Sequence, residues 1–83
     1  MKIQIRAFAA IREMLGTGEI ELEVGDDATP STVFRQLLKG RDDVDAIMRA
    51  TRFAVNRDYV DADTPLSEGD ELSLFPPVAG GSR

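Results

Sequence analysis

Few side chains in this sequence are equipped for covalent or acid–base chemistry, and its paired carboxylates are the first to consider. Asp42-Asp43 and the Asp61, Asp63 pair stand close enough for general acid–base work or a calcium loop. Neither the glycine nor the distal glutamate of an EF-hand spacing follows them, so they read as turns and helix caps. Histidine and cysteine are both absent. That removes the imidazole acid–base group, the thiolate nucleophile and the two commonest ligands for zinc, copper and haem, and it excludes disulfides by arithmetic. No glycine-rich phosphate loop occurs, so the chain is not expected to bind a nucleotide, a metal or any other cofactor by itself. Gly80-Gly81, taken alone, reads as a loose terminus, because chain ends are commonly rich in glycine and serine.

The elements that would position any chemistry follow from periodicity. Ile3, Ile5 and Ala7 alternate with Lys2, Gln4, Arg6 and Phe8, a half-buried strand with one aromatic on its polar side. Ile11, Met14 and Leu15 then take helical spacing before Gly16, which predicts a short helical turn over residues 9–15. Glu19, Glu21 and Glu23 alternate with Ile20, Leu22 and Val24 in a second strand, antiparallel to the first. Thr29-Pro30 opens the main helix, with Val33, Phe34, Leu37 and Leu38 as its apolar stripe and Gly40 beyond its end. Asp42 or Asp43 would cap a second short helix carrying Val44, Ile47 and Met48. Phe53 to Asn56 reads as a strand, Arg57-Asp58 as a turn and Tyr59-Val60 as the return. In the last strand Leu72 and Leu74 point inward, Glu71, Ser73 and Phe75 outward, and Pro76-Pro77 ends the ladder.

Eighty-three residues fill one domain, expected over residues 1–77, with 78–83 as a flexible C-terminal tail. Apolar residues at 42 % and charged ones at 30 % describe a globule whose core comes from packing alone. The net charge of −5 repels phosphate backbones and anionic lipid, so neither nucleic acid nor membrane is expected as a partner. No apolar run spans a bilayer and no signal-peptide layout opens the chain, which makes a cytoplasmic location the expectation. The order of elements places one main helix on one face of a mixed sheet of four to five strands, with the first and last strands parallel at its centre. This is an α+β architecture, the ubiquitin-like β-grasp. Phe8 and Phe75 then fall on the outward face at the C-terminal ends of neighbouring strands. They are expected to lie close together, either exposed beside the exit of the tail or covered by the 9–15 turn.

Four segments carry a resemblance: Phe8-Ala9-Ala10-Ile11-Arg12-Glu13, Ala54-Val55-Asn56, Pro65 to Glu71, and Phe75-Pro76-Pro77-Val78-Ala79-Gly80-Gly81. In order and spacing the chain is similar to the ubiquitin-like sulfur carrier proteins, most of all to the branch of molybdopterin-synthase small subunits. The resemblance implies a carrier without catalytic residues of its own. An E1-like enzyme using ATP and magnesium would adenylate the Gly81 carboxylate, a sulfur donor protein would convert it to a thiocarboxylate, and the large catalytic subunit of the synthase would receive the tail Val78-Ala79-Gly80-Gly81. There the sulfur would enter the dithiolene of the molybdenum cofactor. Phe8, Arg12, Tyr59, Phe75, Pro76 and Pro77 would form the partner interface. Glycine suits a threaded tail because it lacks Cβ atoms, and two prolines stiffen its launch. Ser82 and Arg83 depart from the family pattern, which ends at the second glycine; a peptidase removing them, a remnant of expression, or a relative that no longer carries sulfur would each account for them. The same carrier chemistry could serve cysteine, thiamine or another sulfur metabolite, and a β-grasp interaction module with an inert tail is the reading from another class.

Overall fold

The computed structural model describes residues 1–76, so the expected boundary after Pro77 and the tail 78–83 lie outside the described residues. Strands β1 (Lys2–Ala7), β2 (Glu19–Glu23), β3 (Arg52–Val55), β4 (Asp58–Val60) and β5 (Glu71–Phe75) form one sheet in the order β2-β1-β5-β3-β4. β1 and β5 pair in parallel at its centre, with Ile5 opposite Leu72 and Ala7 opposite Leu74, and every other pairing is antiparallel. Expectation and structure agree on this β-grasp arrangement.

The alternating apolar residues become the core. Ile3, Ile5, Leu72 and Leu74 are at most 1 % exposed and meet Val33 and Phe34 of α2 (Pro30–Leu37). Phe34 packs edge-on against Phe53 with ring centroids 5.8 Å apart, the geometry that suits two aromatic quadrupoles. Thr29 starts α2 as its sequence predicts. Its hydroxyl accepts from the Thr32 amide at 3.3 Å, and the Thr32 hydroxyl accepts from the Thr29 amide at 2.9 Å, so the two threonines satisfy each other's free donors.

Two shorter helices flank the main one: α1 (Ala9–Leu15) and α3 (Val44–Ala50). The 9–15 turn is thus a full helix, as is the short helix after Asp43. An ion pair between Arg35 and Asp45 ties α2 to α3. Among the described residues no helix is long and apolar enough to cross a membrane.

The structure corrects one local expectation. The turn between β3 and β4 is Asn56-Arg57, both at positive φ (51° and 76°), and Asp58 already belongs to β4. A two-residue hairpin turn of type I′ needs left-handed backbone at both positions, and asparagine tolerates it. Asn56 is also held from outside the hairpin: its side chain donates to Asp70 at 3.0 Å and accepts from the Glu71 amide at 3.0 Å. Ser73 faces outward with Glu71 and Phe75 as expected, and the structure adds that it is only 6 % exposed. It sits on a central strand, between Arg6 of β1 and Ala54 of β3, and its larger neighbours cover it.

Candidate functional site

The parallel pairing of β1 and β5 brings their C-terminal ends to one end of the sheet. Phe8 follows β1 and Phe75 ends β5, and their rings stack with centroids 4.8 Å apart and planes 7° from parallel. Tyr59 of β4 approaches Phe75 at 6.0 Å. Its route there is the hairpin register, which sets Tyr59 opposite Ala54 and Ala54 opposite Ser73, beside the Phe75 side of the outward face. Neither α1 nor any described loop closes over these rings. Phe8 is 36 % exposed and Tyr59 70 %, so the three aromatic rings form a patch open to solvent. Single exposed apolar residues are ordinary, but three in contact are a feature of docking surfaces.

Arg6 lies within this patch. Its Cζ stands 5.9 Å from the Phe8 ring centroid, near the outer limit for a cation–π contact, and its terminal nitrogens stand 3.9 Å from Glu19 and 3.7 Å from Glu71. The alternating pattern reads Arg6 as one more solvated charge; in the folded chain it is half-buried. Ser73, Ala54 and Arg57 complete the surround. The signal that could have found Arg6 and Ser73 is the strand period itself, which puts both on the face that carries Phe8 and Phe75.

The remaining expected residues are placed differently. Arg12 is exposed on α1, and its aliphatic stem lies over Gly18, where an added methyl would come within 3.3 Å of Arg12 Cδ. It lines a shallow hollow with Arg6 and Phe8 and so borders the patch without joining the stack. Pro76 leaves the outward face altogether and lines an apolar hollow of about 350 Å³ between α1 and α3, with Ala10, Met14, Ala46 and Ile47 among its neighbours. Pro77, Val78, Ala79, Gly80 and Gly81 lie outside the described residues. Among the described residues no three carboxylates gather as a metal site would require. What the arrangement can do is bind: it presents an aromatic face at the end of the sheet where β5 ends.

Known proteins agree with this layout along the whole chain. A molybdopterin synthase sulfur carrier subunit of Chlamydomonas reinhardtii is 34 % identical over 83 residues, covering 98 % of this chain and all of that one. The small archaeal modifier protein 3 of Haloferax volcanii is 38 % identical over 92 residues, with 98 % and 100 % covered. Among solved structures, a protein of Pyrococcus furiosus described as molybdopterin converting factor subunit 1 superposes with a TM-score of 0.77 at 27 % identity, covering 94 % of this chain and 99 % of its own. A complex of subunits 1 and 2 of the molybdopterin-converting factor of Helicobacter pylori contains a chain that matches with a TM-score of 0.63 at 26 % identity, covering 98 % and 100 %. The sequence pattern of the ThiS family runs through residues 5–81, from the middle of β1 to the second glycine, and the chain belongs to that family.

Proposed function

We propose that this chain is the sulfur carrier subunit of a molybdopterin synthase, a carrier and not itself a catalyst. The observation that carries the reading is the partly exposed Phe8–Phe75 stack at the end of β5, the last strand before Gly80-Gly81 in the sequence, in a chain whose relatives bear that name. A carboxylate is a poor electrophile because its charge is delocalised. In the proposed sequence an E1-like enzyme, with ATP and magnesium, joins the Gly81 carboxylate to AMP and releases pyrophosphate. Sulfur delivered at the sulfide level by a donor protein then attacks the acyl carbon, breaking its bond to AMP and leaving a thiocarboxylate. The large subunit takes the tail and moves its sulfur to the pterin. This chain supplies the terminus and the docking face, and other proteins supply every catalytic group. The Helicobacter pylori complex of the two subunits supports the large subunit as the partner.

The carboxyl group must be free, so Ser82 and Arg83 have to be removed, and a peptidase cutting after Gly81 would do this. The test is to incubate the chain ending at Gly81 with an E1-like enzyme, ATP, magnesium and a sulfur donor, and to weigh it. The expected product is heavier by the exchange of one oxygen for sulfur. An unchanged mass with several competent activating enzymes would sink the reading. Gly81→Ala is expected to impair transfer without lowering the melting temperature.

The archaeal relative named as a modifier protein favours a second reading, in which the same activated carboxyl passes to an amine of another protein. A product of chain plus target joined through an amide, in place of the thiocarboxylate, would select it.

A further inference from the structure

The aromatic patch surrounds a hollow of about 300 Å³ on the outward face of the sheet, and its polar lining is not neutral. Arg6 and Arg57 contribute two guanidinium groups, Glu71 contributes one carboxylate, and Ser73, 6 % exposed, contributes a hydroxyl. Arg6 carries five N–H donors in a planar fork. Its two carboxylate neighbours stand at 3.7 and 3.9 Å, beyond hydrogen-bond distance, and its Nε is buried without any partner. That one nitrogen has given up water without gaining an acceptor, a cost in the free protein, while the side chain as a whole stays 42 % exposed and open to an incoming group. An incoming carboxylate would repay it with two parallel charge-assisted bonds.

We propose that this hollow receives a carboxylate side chain of the docking protein, with the Arg6 fork turning from Glu19 and Glu71 to take both of its oxygens and Arg57 adding a second positive charge. The rings of Phe8, Tyr59 and Phe75 accept the methylene stem of an aspartate or glutamate. They also favour a protein-borne carboxylate over a small free anion, because docking excludes water from all three rings and a free anion leaves them wet. The proposal rests on the reading of this face as the carrier's docking surface, and it adds the chemistry of the residue that fits there.

The experiment is calorimetric titration of the large synthase subunit into the full chain at low and moderate salt, for wild type, Arg6→Gln and Arg6→Lys. Arg6→Gln is expected to weaken binding about tenfold or more and to flatten the salt dependence. Arg6→Lys should recover only part of the loss, because an ammonium lacks the fork. Replacing the surface carboxylates of the large subunit one at a time should then reveal one whose loss is non-additive with Arg6→Gln. Equal affinity for wild type and Arg6→Gln overturns the proposal while leaving the carrier reading intact. Wild type that neither binds the large subunit nor gains sulfur overturns both. Sodium acetate provides the free-anion comparison: an Arg6 Nε resonance that shifts with acetate and not with the large subunit also overturns the proposal. Should Arg6→Gln fail to fold, Ser73→Ala and the large-subunit carboxylate variants carry the same double-mutant test.

Discussion

Phe8 and Phe75 stack at 4.8 Å across the parallel pairing of β1 and β5, so the two strands that close the centre of the sheet also build its aromatic patch. The stack ties the start of α1 to the last strand before Pro76. Its rings remain partly exposed, and the energy they can release is released on docking. Phe75→Ala is therefore expected to weaken binding of the large subunit by about 2 kcal/mol, as truncation of an interface aromatic does. Its effect on stability should be smaller, about 1 kcal/mol from the lost ring pair. Binding and thermal melts on the same sample check this. A large fall in melting temperature with unchanged affinity would return Phe75 to the core.

Asn56 does two jobs that substitution can separate. Its φ of 51° favours glycine or asparagine, and its side chain bridges Asp70 and the Glu71 amide. Asn56→Gly keeps the backbone freedom and loses the two hydrogen bonds, an expected cost of about 1–2 kcal/mol. Asn56→Ala loses both and is expected to cost about 1 kcal/mol more. Denaturant melts of the two variants decide. Equal losses would show that the turn carries no backbone strain.

These side chains also mark how far the sequence could be read. The central pairing was legible because Ile3, Ile5, Leu72 and Leu74 alternate cleanly and one helix stripe, Val33 to Leu38, had to cover them. The aromatic pair was legible because two large rings interrupted polar faces at matching strand ends. The turn register was not: Asn56-Arg57 and Arg57-Asp58 are both acceptable turn pairs, and the choice is made by Asp70 and Glu71, which are distant in sequence. Arg6 was equally hidden. The strand period puts Arg6 on the face of Phe8, but the charge looks solvated until Ser73 and Phe75 of β5 are brought beside it, which only the parallel crossover does.

Ala9 joins the patch to α1 with φ at 51°, a left-handed position held by a residue with a Cβ. Such a residue stores about 1 kcal/mol of strain that glycine would not. Ala9→Gly is expected to raise stability by up to about 1 kcal/mol, the folded-state relief being partly offset by a more disordered unfolded chain. Chemical denaturation measures it. A destabilised Ala9→Gly would mean that the helix start depends on the Ala9 methyl for packing.

The two longer-range helix starts differ in a way that pH exposes. Thr29 caps α2 through its own hydroxyl, whereas Asp43, at the same position before α3, makes no side-chain cap and turns to Arg41 instead, with both oxygens 3.0 Å from the guanidinium. Thr29→Ala is expected to cost about 1 kcal/mol, equally at neutral and acid pH, because a hydroxyl does not titrate there. The hydrogen bond from Arg41 holds the Asp43 carboxyl below its usual range. A carboxylate lowered in the folded state stabilises the fold above its unfolded pKa, and the contribution is lost as pH falls through the folded value. The difference in melting temperature between wild type and Asp43→Asn should therefore exist at neutral pH and vanish below the ordinary aspartate range. Both side chains are exposed, so the difference should also shrink with added salt and stay well below that of Thr29→Ala. A salt-insensitive gap that persists in acid would assign Asp43 a capping role in solution that its geometry does not show.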